Sequence, residues 1–337
     1  MLWIAVDAMG GDEAPRNIVD GALAAVRHFD LGVLLVGRGQ AIDVELARHA
    51  ASDNPVDRSR VRVIDTPDVV GMEESPAAAL RRKPASSIRV AADAVARGDA
   101  SALVSAGHTG ATVMAAHAAF GMLPGVDRPA LAAVIPTRTR PALLLDVGAS
   151  VECRPPHLLQ FAVMGSMFAR VVYDIATPRV GLLSIGHEAT KGNELTREAH
   201  QLLKASPVHF IGNVEARDVY SGDADVIVCD GFTGNVALKT SEGLVELVEG
   251  LLSEELSSTF GHRVGSLFTR RALRHFHLRV DYSEYGGAPL LGVAGVTIVG
   301  HGRSSAKAVR NAVAMAYRFA DTRFLERVGE EIAAAAP

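Results

Sequence analysis

Short runs of continuous apolar residues alternate with longer helical stretches along the whole chain. Most of these runs do not alternate between apolar and polar residues, which is typical of strands buried on both faces of a sheet. The repeated order of strand, helix and strand predicts right-handed crossovers and a mostly parallel sheet. The predicted strands lie at residues 3–6, 33–36, 61–64, 102–105, 131–135, 142–145, 180–185, 208–210, 226–229 and 296–299.

Between these strands, helical patterns cover residues 15–28, 86–97, 110–120, 194–203, 235–249 and 305–319. No internal repeat or break in composition divides the chain, so we predict one catalytic domain over residues 1–330. Charge and helical character rise near residues 250–285, where we expect a helical subdomain or protrusion. Residues 331–337 are rich in alanine, and we expect a C-terminal tail or a frayed helix there.

Composition excludes several classes of protein. Lys and Arg number 34 against 38 Asp and Glu, which gives a net charge of -4 and argues against a dedicated nucleic-acid-binding protein. Cys153 and Cys229 stand far apart with no ligand spacing around them, so the sequence indicates neither a disulfide framework nor a metal site. The N-terminal apolar run is too short for a signal peptide, and no apolar run is long enough to span a membrane. We therefore expect a cytoplasmic protein.

Five glycine-containing loops follow predicted strands and lead into predicted helices. Glycine allows the main chain to turn sharply and approach a ligand, and the N-terminus of the following helix favours a phosphate. Loops at the carboxyl ends of parallel strands converge on one crevice, so we expect a shared anion-binding site. These loops are DAMGGD at 7–12, SAGHTG at 105–110, GHEATKGNE at 186–194, DGFTGN at 230–235 and HGRS at 301–304.

None of these loops matches a standard nucleotide or hydrolase motif. The chain has no GxxxxGK(S/T), its first loop is not GxGxxG, and it has no GxSxG. The sequence therefore predicts neither a P-loop, nor a dinucleotide fingerprint, nor a Ser-His-Asp site, and we expect no cofactor.

Further motifs run in order over nearly the whole chain, and together with these loops they resemble one known family. They are LDVGA at 145–149, FIGNVE at 210–215, KTSEG at 239–243 and YGGAPLLG at 285–292. On these residues the chain resembles the PlsX family, the fatty acyl-(acyl-carrier-protein):phosphate acyltransferases of bacterial phospholipid synthesis. The resemblance implies a three-layer α/β/α Rossmann-like fold, related to isocitrate and isopropylmalate dehydrogenases and to phosphotransacetylases.

The resemblance also implies an activity and partners. The protein would be a homodimer that moves a fatty acyl group from the thioester of acyl-carrier protein to inorganic phosphate. The product would feed a membrane-bound glycerol-3-phosphate acyltransferase, which suggests a peripheral position at the inner face of the membrane. Two residues and one segment depart from the family pattern. His108 and Ser150 stand where asparagine is usual, and the segment 186–190 before KGNE has fewer acidic residues than usual.

Attack by phosphate on a thioester needs mainly anion holders, because phosphate is already nucleophilic and a thiol leaves readily with a pKa of about 8.5. We predict catalytic roles for Lys191, His108, Asn193 and Arg303. Lys191 could instead be a solvated lysine, Arg303 could form a salt bridge, and His108 could only cap its helix. The residues predicted to bind phosphate or the acyl group are Asp7, Gly10, Gly11, Gly107, Thr109, Gly110, Asp230, Gly231, Gly234, Asn235 and Gly302.

Asp7 and Asp230 could also be structural, as caps of loops or helices. A basic segment at 263–280 forms an imperfect amphipathic helical pattern with arginines on one side. We predict that Arg263, Arg270, Arg271 and Arg274 face an acidic partner or an anionic membrane surface. The alternative is a helix packed in a dimer interface with a solvated basic face.

Two other functions remain open from the sequence. A dehydrogenase of the same fold would need NAD(P), a divalent metal and several converging aspartates, which the motif loops do not provide. A non-catalytic protein that recruits partners to the membrane would not need loops suited to phosphate.

Overall fold

The computed structural model describes residues 1–51, 55–258 and 286–335. Within these ranges the chain forms one sheet of 11 strands with helices between them. The strands are β1 (Leu2–Asp7), β2 (Leu31–Gly37), β3 (Val61–Asp65), β4 (Ala102–Ser105), β5 (Ala130–Ile135), β6 (Ala142–Leu145), β7 (Val180–Ser184), β8 (Phe210–Glu215), β9 (Val226–Val228), β10 (Ala288–Leu291) and β11 (Val296–Val299).

Helices lie between the strands, and six of those in the described ranges correspond to predicted helices. The helices are α1 (Arg16–His28), α2 (Gly39–Ala50), α3 (Pro76–Arg82), α4 (Ser87–Ala96), α5 (Thr109–Phe120), α6 (Pro155–Tyr173), α7 (Glu194–Ala205), α8 (Gly231–Ser257), α9 (Ala306–Asp321) and α10 (Phe324–Ala335). None of the helices in the described ranges combines the length and apolar character needed to cross a bilayer.

The strand order is β3-β2-β1-β4-β11-β10-β5-β6-β9-β7-β8. Among the described pairs, β10 is antiparallel to both β11 and β5, and β5 is antiparallel to β6. The pairs on either side of this central group are parallel. The prediction of a mostly parallel sheet is confirmed, and the reversed central strands separate two parallel halves.

Helices cover both faces of the sheet. Along β1, Ile4 and Val6 belong to a core cluster that also contains buried residues of α1 and α9. Ala5, between them, belongs to a second cluster with residues of α4 and α5. Because neighbouring side chains of a strand point to opposite faces, these clusters are two separate layers of core. The predicted three-layer α/β/α arrangement is confirmed.

Several elements differ from the sequence prediction for local reasons. Strand β10 was not predicted, since it is four residues long and contains Pro289, which normally weakens a strand pattern. Strand β8 begins where the predicted strand at 208–210 ends, and Gly212, with φ of 103°, interrupts its apolar pattern. Helices α2, α3, α6 and α10 were also not predicted, and α10 takes in residues 331–335 of the expected tail.

Helix α8 is longer at both ends than the predicted 235–249. It begins early because Asp230 caps it, with Oδ1 accepting a hydrogen bond from the Thr233 N–H at 2.9 Å. It reaches Ser257 and so covers the first part of the predicted protrusion near 250–285. The rest of that protrusion, including Arg263, Arg270, Arg271 and Arg274, lies outside the described residues.

At the amino ends of β6, β7 and β9, a buried carboxylate joins three strands. Asp225, just before β9, is only 1% exposed and accepts hydrogen bonds from Arg179 Nε at 3.0 Å and from Arg140 Nε at 2.9 Å. Burial alone would raise the pKa of Asp225, but the hydrogen bonds from Arg179 and the charges of both arginines hold it below its usual value. This cluster fixes β6 and β9, whose opposite ends lead to the site described below, and their neighbour β7.

We expect Asp225→Ala to lower the free energy of unfolding by about 3 kcal/mol, because it leaves two arginines without their buried partner. Since the folded-state pKa is lowered, the carboxylate stabilises the fold above its usual pKa of about 3.9, and this contribution disappears as pH falls through the lower folded value. Urea unfolding at pH 7 and at pH 3 measures both effects. The exposed neighbour Asp223, changed to Ala, is the control, and an equal loss in both variants would contradict the prediction.

Candidate functional site

Three loops meet at the carboxyl ends of β1, β4 and β11. The Asp12 N–H donates to the Gly302 carbonyl at 2.8 Å, and the Gly300 N–H donates to the Ser105 carbonyl at 2.8 Å. The main chain of Gly10 lies so close to Gly107 that a Cβ on Gly10 would fall 2.6 Å from the Gly107 nitrogen. Glycine is required here for close approach, and the result is one continuous surface made from three loops.

Asp7 lies beneath this surface and is fully buried. Its Oδ2 accepts from the Ser105 hydroxyl at 2.8 Å, and its Oδ1 accepts from the Met9 N–H at 3.3 Å. Burial raises the pKa of Asp7, while hydrogen bonds from Ser87, Ser105 and Met9 oppose the rise. The carboxyl group therefore joins β1 to the loop after β4, in agreement with the structural alternative for this residue.

The opposite half of the site is built around Asp146, directly after β6. Its carboxylate accepts backbone hydrogen bonds from Leu131 at 2.8 Å, Gly148 at 3.1 Å, Ala149 at 3.0 Å and Ser150 at 2.6 Å. Burial nevertheless raises the pKa of Asp146 to about 6. This single side chain closes the loop that follows β6 and attaches it to β5.

Helix α8 is pressed against the Asp146 loop at two glycines. A Cβ on Gly231 would lie 2.6 Å from Asp146 Oδ2, and a Cβ on Gly234 would collide with the Asp146 carbonyl oxygen. Only glycine permits this approach, and it brings the first turn of α8, with Asn235, to the edge of the site. The signal in the sequence is the DGFTGN motif.

A cavity of about 600 Å³ lies between the two halves. This volume falls within the range of small-molecule sites in proteins. Apolar side chains line part of its wall, including Val6, Val104, Leu131, Leu238 and Val309. The polar lining residues are Asp7, Asp12, Thr109, Asn235, Lys239, Glu242, His301, Arg303 and Ser304.

The structure brings many of the predicted residues to this cavity. Those that line it are Asp7, Gly107, Thr109, Gly110, Asn235, Gly302 and Arg303. Gly10, Gly11, Gly231 and Gly234 are not among the described lining residues, but they shape the loops around the cavity. Asp230 is not among them either; it caps α8 through Thr233, as the structural alternative for this residue proposed.

Lys191 and Asn193 lie in the loop after β7 and are not among the described residues that line the cavity. Asn193 caps α7, with Oδ1 accepting from the Thr196 N–H at 2.9 Å. Asn213 on β8 holds this loop in place, since its Nδ2 donates to the Glu188 carbonyl at 2.8 Å. The KGNE motif and the FIGNVE motif are therefore partners in one local structure.

Arg303 forms the ion pair considered for it, whereas the imidazole of His108 shows neither a capping contact nor a place in the cavity lining. His108 occupies the N-cap position of α5, but its imidazole makes no capping hydrogen bond. It is also not among the described lining residues. Arg303 lines the cavity and forms an ion pair with Glu246, with Nη2 2.6 Å from Oε1.

Five polar lining residues were not among the predicted site residues: Asp12, Lys239, Glu242, His301 and Ser304. All of them belong to the quoted motifs, but nothing in the chain order indicates that KTSEG and HGRS face each other. In the structure, Lys239 Nζ lies 2.7 Å from Glu242 Oε2 and 3.2 Å from His301 Nε2. For Lys239 and Glu242, the signal that could have found them was the presence of charged residues at helical spacing after DGFTGN.

One group of side chains with metal-ligand character occurs in the part of the chain that the structure describes. His187, Glu215 and Asp218 lie at the carboxyl ends of β7 and β8, away from the cavity lining. Arg217 already pairs with Glu215, with Nε 3.0 Å from Oε2.

Comparison with known proteins decides the family. A family model described as "Fatty acid synthesis protein" matches residues 2–327. The chain belongs to this family. The resemblance to the PlsX family drawn from its motifs is confirmed by relatives whose full length it shares. Proteins named phosphate acyltransferase from Heliobacterium modesticaldum and from Nitratidesulfovibrio vulgaris are each 50% identical to it, over 98% of this chain and 98% and 95% of theirs.

Solved structures of low sequence identity share the fold. A phosphotransacetylase from Streptococcus pyogenes has a TM-score of 0.63 at 16% identity, covering 95% of this chain and 94% of that one. A 4-hydroxythreonine-4-phosphate dehydrogenase from Klebsiella pneumoniae has a TM-score of 0.55 at 14% identity, covering 95% and 99%. The dehydrogenase-like and phosphotransacetylase-like architecture predicted for the family member is therefore confirmed.

The contact between the first two glycine loops predicts the effect of adding a methyl group. Gly10→Ala places its Cβ against the Gly107 main chain and Asp7, so we expect a loss of about 1–3 kcal/mol in the free energy of unfolding. Gly243→Ala, within α8, meets no described atom within 4 Å and is the control, with an expected gain of about 0.5–1 kcal/mol. Urea unfolding measures both variants. A gain in the free energy of unfolding in both would contradict the prediction, because it would show that the loops at Gly10 and Gly107 separate easily.

Proposed function

We propose that this chain transfers a fatty acyl group from the thioester of acyl-carrier protein to inorganic phosphate, and so supplies acyl phosphate for phospholipid synthesis. Membership of the family and the name of its full-length relatives support acyl transfer to phosphate. The observation that carries the proposal is the cavity itself. Its wall combines apolar side chains, glycine-containing loops and the cationic residues Lys239 and Arg303.

The reaction needs few side chains. A phosphate oxygen attacks the thioester carbonyl carbon, the carbonyl oxygen becomes negative, and the carbon–sulfur bond then breaks to release a thiol after proton uptake. Phosphate supplies the nucleophilic electron pair, and a thiol with a pKa of about 8.5 is a good leaving group. The protein must hold the phosphate beside the carbonyl carbon and stabilise the negative oxygen. Loops with main-chain N–H groups and nearby cations suit both tasks.

The roles within the cavity follow from its geometry. The apolar wall that includes Val104 and Leu131 suits the acyl chain. Asn235, at the start of α8, can donate an amide N–H to phosphate or to the carbonyl oxygen. Lys191, Asn193 and His108 are not among the described lining residues, and they remain proposed contributors, Lys191 and Asn193 because they belong to the KGNE motif.

Carrier-protein binding, a homodimer and contact with a membrane are the finer parts of this proposal. In the described part of the chain, α8 leaves Leu244, Leu247 and Leu251 exposed on one side, which suits a second copy of the chain. Arg263, Arg270, Arg271 and Arg274 follow this helix in sequence. Their positive charge suits an acidic carrier protein or an anionic membrane surface that also holds the glycerol-3-phosphate acyltransferase.

A direct assay tests the proposed reaction. Purified protein with acyl-carrier-protein thioester and phosphate should form acyl phosphate, measured directly by mass spectrometry and absent when phosphate is omitted. Because the proposed chemistry uses neither a metal nor a nucleotide, treatment with a chelator should leave the rate unchanged. Loss of activity on chelation, restored by one metal, would contradict this prediction. NAD(P) reduction with a hydroxy acid would instead indicate a dehydrogenase, and neither reaction a non-catalytic protein.

Two substitutions test the predicted anion holders. We expect Arg303→Ala and Lys191→Ala each to raise the phosphate KM or lower kcat by about tenfold or more, because a hydrogen bond to a charged group contributes roughly 1.5–3 kcal/mol. Lys204→Ala, an exposed lysine at the end of α7, is the matched control. Circular dichroism checks that each variant folds. Wild-type phosphate kinetics in either variant would remove that residue from the site.

A further inference from the structure

Two side chains that can donate hydrogen bonds and one that accepts them meet on one wall of the cavity. Lys239 and Glu242 project from α8, and His301 lies in the loop after β11. Lys239 Nζ is 2.7 Å from Glu242 Oε2 and 3.2 Å from His301 Nε2. All three residues line the cavity.

The hydrogen bonds of His301 determine which ring nitrogen carries its proton. Nδ1 lies 3.1 Å from the Arg303 backbone nitrogen, whose N–H can only donate. Nδ1 must therefore accept, and in a neutral imidazole the proton then resides on Nε2. Nε2 is the nitrogen that faces Lys239, and a lysine ammonium can also only donate. The 3.2 Å contact between Lys239 Nζ and His301 Nε2 therefore joins two donors and is not a hydrogen bond, and an anion that accepts from both would relieve their repulsion.

The charges around His301 keep its ring neutral. Burial lowers the pKa of His301 first, and the positive charges of Lys239 and Arg303 lower it further. Glu242 and Asp12, the acidic groups that face it, act in the opposite direction but do not reverse the shift. At neutral pH the ring is therefore an N–H donor on Nε2 and not a base, because its one lone pair is engaged at Nδ1.

We propose that His301, Lys239 and Glu242 form a subsite that binds the attacking phosphate in its protonated form and rejects sulfate. The inference rests on the proposed function and names the residues that recognise its nucleophile. His301 and Lys239 donate to the unprotonated oxygens. Glu242 accepts the hydroxyl proton of hydrogen phosphate.

Glu242 is the residue that determines specificity. Hydrogen phosphate carries a hydroxyl group at neutral pH, so it offers one donor and several acceptors. Sulfate has a similar size and charge but carries no proton, so one of its oxygens would face the carboxylate of Glu242 without a hydrogen between them. The negative charges of sulfate and of the Glu242 carboxylate repel each other, and two acceptors that face one another make no hydrogen bond.

Calorimetry with sodium phosphate and with sodium sulfate, in the absence of an acyl donor, tests the subsite on the whole protein. We expect the wild type to bind phosphate at least tenfold more tightly than sulfate. Lys239→Gln and His301→Ala should each weaken phosphate binding by about tenfold or more. Glu242→Gln should weaken phosphate binding and strengthen sulfate binding, because the amide N–H can donate to a sulfate oxygen.

The controls are matched in chemistry and lie on another helix. Lys204→Gln and Glu198→Gln remove the same charges from exposed positions of α7 and should leave both affinities unchanged. Nitrogen-15 NMR of the histidine rings provides a readout that does not depend on affinity. The His301 signal should show the proton on Nε2, and a proton on Nδ1 at neutral pH would overturn the proposal.

Three further results would also overturn it. They are the absence of saturable phosphate binding to the wild type, wild-type phosphate affinity in Lys239→Gln or His301→Ala, and unchanged sulfate rejection in Glu242→Gln. A fourth contrary result is that these substitutions raise the KM for the carrier protein and change no other constant. If phosphate binds as described but no acyl phosphate forms, the proposed function is wrong and the subsite is not.

Discussion

Beyond the carboxyl ends of β1 and β4 the main chain of Gly10 lies against that of Gly107, and beyond the carboxyl end of β6 the first turn of α8 lies against the Asp146 loop. In both places a Cβ at the glycine would come closer to neighbouring main-chain atoms than van der Waals contact permits. Close approach lets neighbouring segments pack main chain against main chain, where a side chain would otherwise stand. The loops that form the two halves of the site therefore depend on glycine at these positions.

The reversed strands at the centre of the sheet determine where those loops meet. Strand β10 is antiparallel to both of its neighbours, and it separates β4 and β11 from β5 and β6. Each parallel half has its own group of glycine loops at its carboxyl edge, and the cavity lies between the two groups. At the amino ends of β6, β7 and β9, Asp225 and its two arginines hold the second half together. The fold thus separates the charges of the Asp225 cluster, which stabilise the sheet, from the charges that line the cavity.

The charges that face the cavity are nearly balanced within pairs. Lys239 lies beside Glu242, and Arg303 beside Glu246. Balanced pairs lower the cost of placing cations next to an apolar wall, and they leave donors and acceptors in fixed positions. Such an arrangement distinguishes anions by their protonation as well as by their charge. Asp7 and Asp146, in contrast, are buried, and their carboxylates accept hydrogen bonds from the strands and loops around them.

The sequence by itself determined the class of fold and the loops that carry the site. Continuous apolar runs gave the strands of both parallel halves, and DAMGGD, SAGHTG and HGRS marked the three loops that meet at β1, β4 and β11. Local patterns succeed here because burial on both faces and helix starts after glycine are local properties of the chain. They also gave Arg303, Asn235 and Thr109 as candidates that the structure places at the cavity.

Only the tertiary structure decided which charged side chains face one another. Lys239 and His301 are 62 positions apart in sequence, yet their nitrogens lie 3.2 Å apart. The tertiary structure likewise revealed β10. Its proline weakens the strand pattern in the sequence, but two antiparallel neighbours stabilise the strand. It showed Asp230 as a helix cap, which the sequence left open, and Asn193 as a helix cap, which the sequence analysis did not consider. Pairing across the sheet depends on the path of the whole chain, and no window of the sequence contains that path.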